Sequence, residues 1–232
     1  MQRGLPQKRN IRDVNKVVAV SSAKGGVGKS TIADNQLVPL SNYGVKSMSM
    51  GYLVGEDAPV VWRGLMVMKA LQQLLHEVDW GGLDVLVLDL PPGTGDVQLT
   101  ITQQVNLDGA VIVSTPQDIA LKDAIKGVNM FRKVSVPLLG VVENMASFHC
   151  PHCHTETPIF TSASTVSDAT KTFHSRFEEL GVPLLGQIPL HPRICADADR
   201  GKPSVVAEEP GSPNVRAFEA VAGKVAESVG LA

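Results

Sequence analysis

A glycine-rich stretch at residues 23–31 reads Ala23, Lys24, Gly25, Gly26, Val27, Gly28, Lys29, Ser30, Thr31, and it is the strongest indication of the fold. It follows the apolar run Val17–Val20 and opens a helical pattern, which is the context in which a phosphate-binding loop is found. Glycines let consecutive backbone N–H groups turn toward phosphate oxygens, because no Cβ blocks the approach. The stretch therefore predicts a nucleotide-binding P-loop, although Ala23 stands where the generic motif has glycine.

The side chains around this loop predict ATP and Mg²⁺ as its ligands. Lys29 supplies a point charge to the phosphates, and the Ser30 hydroxyl is placed to ligate Mg²⁺. Asp89 ends the apolar run Val85–Asp89, where a Walker-B carboxylate holds the same ion through water. The turn at residues 91–96, Pro-Pro-Gly-Thr-Gly-Asp, comes directly after it. We therefore expect this turn to sense the γ-phosphate.

Short β-branched runs alternate with helical patterns along the chain, which predicts an α/β fold with a mostly parallel sheet. After the first run, strands are expected at residues 45–50, 84–89, 110–114 and 136–142. The last three are nearly continuous in apolar residues, which predicts burial on both faces. Helices are expected at residues 62–78, 118–133, 168–180 and 214–229, and Gly181 is expected to end the third. The predicted architecture is three-layered, with helices on both faces of the sheet, in one P-loop NTPase domain over residues 16–232.

The composition of the chain disfavours nucleic acid and membranes as partners. The 232 residues are 44% hydrophobic and carry a formal net charge of −2, so no basic field favours nucleic acid. No apolar run approaches the roughly 18 residues that span a bilayer, so we expect a soluble protein with no stable membrane insertion. Residues 1–15 form a basic arm, which is either the end of a transit peptide or a solvated surface segment.

Three cysteines are too few for a disulfide framework in a chain of this size and indicate a reducing compartment. Cys150 and Cys153 form a Cys-x-x-Cys pair in a polar loop, and its spacing suits metal or redox chemistry. Three functions fit that spacing: a thioredoxin-like dithiol, half of a zinc site, or half of a cluster site shared by two chains. Pro158 and the lack of an apolar helical pattern after Cys153 disfavour the dithiol. Cys195, alone after Pro192, is expected to be a packed thiol.

Lys24–Thr31 resembles the deviant Walker A motif of the dimeric MinD/ParA/Mrp ATPases, which carries an additional lysine at the position of Lys24. The resemblance implies that Lys24 reaches the phosphates bound by the partner subunit of a homodimer. Asp89–Asp96 and Glu143–Met145 resemble the Mrp branch rather than the partitioning branch. The resemblance implies that Asn144 contacts adenine, whereas the residues alone fit a hydrogen-bonded asparagine at a strand end equally well.

The resemblance to the Mrp branch implies an iron–sulfur cluster carrier. Family members hold a [4Fe–4S] cluster between two subunits with a Cys-x-x-Cys at the place of Cys150 and Cys153. Tyr43–Gly51 and Val60–Met68 most resemble the mitochondrial members that serve respiratory complex I assembly. The implied role is delivery of the cluster to apo iron–sulfur proteins, such as complex I subunits, in the mitochondrial matrix or, as the alternative, in the cytoplasm. The alternative function is a MinD/ParA-like positioning ATPase that binds no cluster.

One part of the family pattern is missing after the P-loop. Relatives have a second strand that ends in an Asp-x-Asp segment, switch I, and one of its carboxylates helps position the attacking water. Here residues 31–44 lead straight to the strand expected at Val45–Met50, and Asp34 and Asn35 fall inside a helix that Pro39 ends early. We therefore expect weak or absent ATP hydrolysis, and a sheet without a neighbour beside the P-loop strand, which exposes an edge or leaves a cavity. The residues expected to carry any hydrolysis are Lys24, Lys29 and Asp89.

Overall fold

Strands alternate with helices along the chain, as the sequence predicts. The computed structural model describes residues 8–21, 37–53, 64–91, 96–150, 152–153, 155–160 and 173–231. The strands are β1 (Val14–Ser21), β2 (Leu40–Asn42), β3 (Val45–Ser47), β4 (Leu83–Leu90), β5 (Gly109–Ser114), β6 (Leu138–His149), β7 (Glu156–Thr157) and β8 (Leu184–Leu190). The helices are α1 (Gly64–His76), α2 (Asp96–Gln104), α3 (Asp118–Lys133), α4 (Phe173–Glu179), α5 (Pro192–Asp199), α6 (Ser204–Ala207) and α7 (Pro213–Ser228), with a 3-10 turn at Met50–Leu53.

The main sheet is parallel along the order β4-β1-β5-β6-β8, and the short β7 pairs antiparallel with the end of β6. β1 lies in the interior, with Val20 beside Asp89 of β4 and Ser21 beside Ile112 of β5. The predicted mostly parallel α/β sheet is confirmed. Because the strands are parallel, their carboxyl ends meet along one edge, which is where ligands bind in open α/β sheets.

Helices cover both faces of this sheet, which gives the predicted three layers. On one face α3 and α4 bury Phe131 and Phe177, both 0% exposed, against side chains such as Ala19. On the opposite face Val18 of β1 and Val111 of β5 belong to a second cluster, which packs with α7. Successive residues of a strand point to opposite faces, so the neighbours Val18 and Ala19 serve different layers.

The helical predictions hold most closely for α3, which begins and ends at the predicted residues Asp118 and Lys133. α7 begins one residue before its predicted start, and the Ser212 hydroxyl caps it by accepting the N–H of Val215 at 3.2 Å. Gly181 follows α4 with a φ of +62°, the left-handed conformation predicted for the residue that ends that helix. The predicted first residues of that helix, 168–172, lie outside the described residues. No helix in the described ranges is long and apolar enough to cross a membrane.

β4 is less buried than its sequence predicts. Leu86 and Leu90 are buried, but Val87, on the other face, is 58% exposed. Among the described strands β4 pairs only with β1, so it forms one edge of the sheet. The prediction that β1 itself lacks a neighbour is wrong, because β4 returns to lie beside it and β5 lies on its other side. Within the part of the chain that the structure describes, β4 and β8 are the two edge strands of the parallel sheet, and each has one neighbour.

The strand predicted at Val45–Met50 also needs correction. β3 ends at Ser47 and pairs antiparallel with β2, in a hairpin that lies outside the main sheet. Tyr43 and Gly44 form the turn with φ values of +50° and +77°, as a two-residue type I′ turn requires. The first residues of this predicted strand therefore build a small hairpin rather than a strand of the main sheet.

An apolar cavity of about 540 Å³ lies between the sheet and α7. Its wall is formed by valines of β1, β4 and β5 and by apolar side chains of α7, among them Val18, Val20, Val85, Val87, Val111, Val113, Phe218, Val221 and Val225. Val87 of the edge strand belongs to this wall. The incomplete cover of β4 and the cavity are therefore parts of the same open surface.

Candidate functional site

The predicted nucleotide site falls at the carboxyl edge of the sheet. The predicted P-loop lies outside the described residues and comprises Ala23, Lys24, Gly25, Gly26, Val27, Gly28, Lys29, Ser30 and Thr31. Asp34, Asn35 and most of the turn after Asp89 also lie outside them. Asp89 itself is exposed at this edge, beside Val20 of β1. β1 ends at Ser21, the last described residue before the predicted P-loop, and Ser21 lies beside Leu90, the residue that follows Asp89.

Asn144 lies in the body of β6, which runs on to His149, and not at a strand end. Its side-chain oxygen accepts a hydrogen bond from the backbone N–H of Met145 at 3.0 Å. Met145 has a φ of +55°, a left-handed conformation that is unfavourable for methionine, and this contact helps to stabilise it. Asn144 also lines the apolar cavity. Its contact with adenine stays a prediction.

Glu143 is a buried carboxylate at this edge that the sequence reasoning missed. It is 7% exposed, and it accepts a hydrogen bond from Nε2 of Gln187 in β8 at 2.6 Å. A buried carboxylate needs such a partner, because burial removes the water that would otherwise solvate it. A charged residue directly after an apolar run is the signal that would have found Glu143. Its partner Gln187 lies on β8, a strand that was not predicted from the sequence.

The two paired cysteines lie at the tip of a hairpin rather than in a plain polar loop. Cys150 comes directly after β6, and Cys153 lies in the turn that leads to β7. The N–H of Cys150 donates to the carbonyl of Thr155 at 3.1 Å, which extends the pairing of the two strands by one more contact. Cys150 follows a strand, so it lacks the helix N-terminus that activates the first cysteine of a thioredoxin-like dithiol.

Local hydrogen bonds make Cys153 an acidic thiol. Its Sγ lies 3.2 Å from the Thr155 hydroxyl. This contact, followed by one with the Thr155 backbone and one with the Cys150 side chain, lowers the pKa of the Cys153 thiol to about 7. A large fraction of Cys153 is therefore thiolate at neutral pH, which is the form that binds metal. The chemistry of this pair fits an iron–sulfur cluster as cargo.

One chain supplies two thiols at this place and no more. Among the described residues no group of at least three histidine, cysteine or acidic side chains is arranged to hold a metal ion. Cys195, expected to be packed, is exposed on α5, and its Sγ lies 3.8 Å from Oδ2 of Asp199. That prediction was wrong because Cys195 lies on the outward side of a short helix, where no core covers it.

Comparison with known proteins places the chain in a family. A family model described as "NUBPL iron-transfer P-loop NTPase" matches residues 33–226. The chain belongs to this family. The "Iron-sulfur cluster transfer protein NUBPL" of Mus musculus is 45% identical over 97% of this chain and 81% of its own length. The "Iron-sulfur protein required for NADH dehydrogenase, mitochondrial" of Arabidopsis thaliana is 42% identical over 97% of this chain and 82% of its own.

A solved structure agrees with this assignment to the NUBPL family. The nucleotide-binding protein of Archaeoglobus fulgidus, in complex with ADP, superimposes with a TM-score of 0.63 at 30% identity. The match covers 88% of this chain and 79% of that protein. A P-loop fold of this kind is therefore shown both by the sheet order and by structural similarity.

The relatives also carry sequence that this member of the NUBPL family lacks. The alignments with the mouse and Arabidopsis proteins each extend over 267 positions, which is more than the 232 residues of the whole chain. Some aligned positions of the relatives therefore have no counterpart here, as the loss of a segment predicts. That the lost segment follows the P-loop and contains switch I stays a prediction.

Proposed function

We propose that the chain is a nucleotide-binding carrier that holds a [4Fe–4S] cluster at Cys150 and Cys153 and transfers it to apo iron–sulfur proteins. The observation that carries the proposal is the β6–β7 hairpin, which brings two thiols together at an exposed tip and lowers the pKa of one to about 7. The mouse relative, which is named as an iron–sulfur cluster transfer protein, supports a cluster as the cargo of this dithiol.

The proposed carrier is a homodimer with the cluster at its twofold axis. A [4Fe–4S] cluster is held by four thiolates, and each chain contributes Cys150 and Cys153. A twofold axis through the hairpin tips supplies the full set from identical surfaces. Loading should therefore convert monomer to dimer, and chelation of the iron should reverse the conversion.

The proposed nucleotide is ATP with Mg²⁺. Lys29 contacts the phosphates, Ser30 and Asp89 hold the ion, and Lys24 reaches across the dimer to the partner's nucleotide. Asp89 supports this assignment by its exposure at the carboxyl edge beside the strand that leads into the P-loop sequence. The function of the nucleotide in this carrier is binding, since the segment that aligns the attacking water in relatives is expected to be missing.

The proposed recipients are complex I subunits in the mitochondrial matrix. The Arabidopsis relative is named as mitochondrial and as required for NADH dehydrogenase, and it spans nearly all of this chain. A reducing compartment suits the carrier, because free thiols have to stay reduced to accept the cluster. The basic character of residues 1–15 agrees with a chain that enters mitochondria.

Anaerobic reconstitution with ferrous iron and sulfide tests the cluster assignment. We expect the wild-type protein to develop the broad visible absorbance of a [4Fe–4S] cluster, and the double variant C150A/C153A to remain colourless. C195A is the matched control, because it removes the exposed thiol that lies outside the hairpin. Persistence of the absorbance in the double variant would disprove the cluster site, and a colourless wild type would favour a positioning ATPase.

A further inference from the structure

Three polar side chains join β6 to β7 next to the cysteines, and we call Ser147, His149 and Glu156 the hairpin clamp. The Ser147 hydroxyl donates a hydrogen bond to Oε1 of Glu156 at 2.5 Å. Nε2 of His149 lies 3.5 Å from the same oxygen. Glu156 stands directly opposite His149 in the antiparallel register, and Ser147 lies two residues earlier on the same face of β6. A single carboxylate on β7 therefore binds two side chains of β6.

The backbone ladder at this place is short, so side-chain contacts carry much of the pairing. β7 consists of Glu156 and Thr157, and its register with β6 comprises two residue pairs. A strand pair of this length is at best marginally stable by itself. Cross-strand side-chain pairs add stabilisation to such a ladder. The hairpin clamp is thus suited to hold β7 in its register on β6.

Thr155 connects the hairpin clamp to both thiols. Its carbonyl accepts the N–H of Cys150 at 3.1 Å, and its hydroxyl lies 3.2 Å from Sγ of Cys153. Because Thr155 directly precedes Glu156, any shift of Glu156 along β6 also shifts Thr155. The position of Glu156 therefore also sets the place of Thr155, which contacts both cysteines.

We propose that Glu156, held by Ser147 and His149, is a positioning residue that fixes the spacing of the Cys150 and Cys153 thiols. In the carrier this spacing decides how firmly the cluster is held, a consequence that rests on the function proposed above. The hydrogen bond from Ser147, and next the charge of His149, lower the pKa of Glu156, so its carboxylate is ionised at neutral pH.

Binding of phenylarsine oxide to the iron-free protein tests the spacing of the thiols. One arsenic atom bridges two thiols, so its affinity falls when the two thiols move apart. In full-length reduced protein we expect E156A to weaken this binding and to speed cluster loss to an iron chelator, each by about two- to fivefold. E156Q retains an oxygen that accepts the Ser147 hydrogen bond. Its arsenical affinity and its rate of cluster loss should therefore lie between those of E156A and wild type. Glu219, an exposed carboxylate on α7, gives the matched control E219Q, which should behave as wild type.

A general loss of stability is separated from positioning by L75A, which truncates a buried side chain of α1. If L75A lowers the melting temperature as much as E156A and weakens arsenical binding equally, Glu156 has no positioning role. Equal arsenical binding by E156A and wild type also overturns the proposal. If wild type takes up no cluster but E156A still weakens arsenical binding, positioning is upheld and the carrier function fails.

Discussion

The two halves of the main sheet, one ending at β8 and the other at β4, differ in how well their strands are covered. On the cysteine side, β6 has β5 and β8 as neighbours, the buried Glu143 is paired with Gln187, and β7 closes the hairpin. The edge strands β4 and β8 have one neighbour each among the described strands, but Val87 of β4 is 58% exposed, whereas Leu185 and Ile188 of β8 are buried. The β6–β7 hairpin that carries the cysteines is therefore attached to the better covered half of the sheet, away from β4. Cluster binding and nucleotide turnover should therefore separate in this chain.

The largest expected effect is on ATP hydrolysis. Phosphoryl transfer depends on positioning, so a chain without the switch I carboxylate should turn over ATP more slowly than an intact relative, by a factor on the order of 10² or more. Steady-state phosphate release from this chain and from an intact relative measures the ratio. Insertion of a family-like strand with its Asp-x-Asp between Leu37 and Tyr43 should restore turnover and raise the melting temperature together. Robust hydrolysis by the unaltered chain would mean that another carboxylate, such as Asp96, positions the water.

The next effect distinguishes the two lysines of the P-loop sequence. K29A removes a charge that contacts the phosphates, and it should weaken ATP binding by at least about 30-fold, as loss of one partner of a desolvated charge pair does. K24A should leave ATP affinity unchanged and impair only steps that act across the dimer. Titration calorimetry with a non-hydrolysable ATP analogue gives both affinities. Unchanged affinity in both variants would show that this loop does not bind nucleotide.

A matched pair of valine truncations compares the two sides of the sheet directly. Val141 of β6 is 0% exposed and Val87 of β4 is 58% exposed. V141A should lower the free energy of unfolding by about 2 kcal/mol, because it removes buried methyl groups and leaves a cavity. V87A should change it by less than about 0.5 kcal/mol. Equal losses in urea denaturation would show that β4 is covered in solution, and the contrast between the two sides would not hold.

The smallest expected effect is on the acidity of Cys153. In wild type its alkylation rate should be half-maximal near pH 7, because the thiolate reacts and the pKa is about 7. T155V removes the hydroxyl that contributes most to lowering this pKa, so the rate at pH 7 should fall several-fold and the midpoint should move to higher pH. T155S keeps the hydroxyl and is the control. Peptide mass spectrometry at Cys153 resolves its rate from those of the other cysteines, and a midpoint unmoved in T155V would exclude Thr155 as the cause.

The sequence predicted those features that depend on local pattern. α3 has its predicted ends, because its buried side chains recur at helical spacing, and Gly181 adopts the predicted left-handed conformation. β8 escaped prediction because Gly186 and Pro189 interrupt its apolar run. The fold explains Gly186, since a Cβ there would lie 2.6 Å from Cγ2 of Val221 on α7. That requirement comes from packing between distant segments, which periodicity does not show.

In the candidate site, too, the residues marked by a local pattern were predicted and those that depend on distant contacts were not. The cysteine pair and Asp89 stand out by spacing and by position after an apolar run. The roles of Glu156 and Gln187 depend on strand register, which joins residues far apart in the chain. The burial of β4 was overpredicted for a related reason, because an apolar run does not tell whether a neighbouring strand exists. The pairing and register of the strands could therefore not be predicted from the sequence alone.

Native mass spectrometry of the anaerobically reconstituted protein, before and after chelation, shows whether two chains share one cluster. We expect a dimer whose mass includes one [4Fe–4S] cluster, and a return to apo monomer when the iron is removed. The C150A/C153A variant should stay an apo monomer throughout. A monomer that carries a complete cluster, or a dimer that takes up none, would contradict a cluster held between two copies of the β6–β7 hairpin.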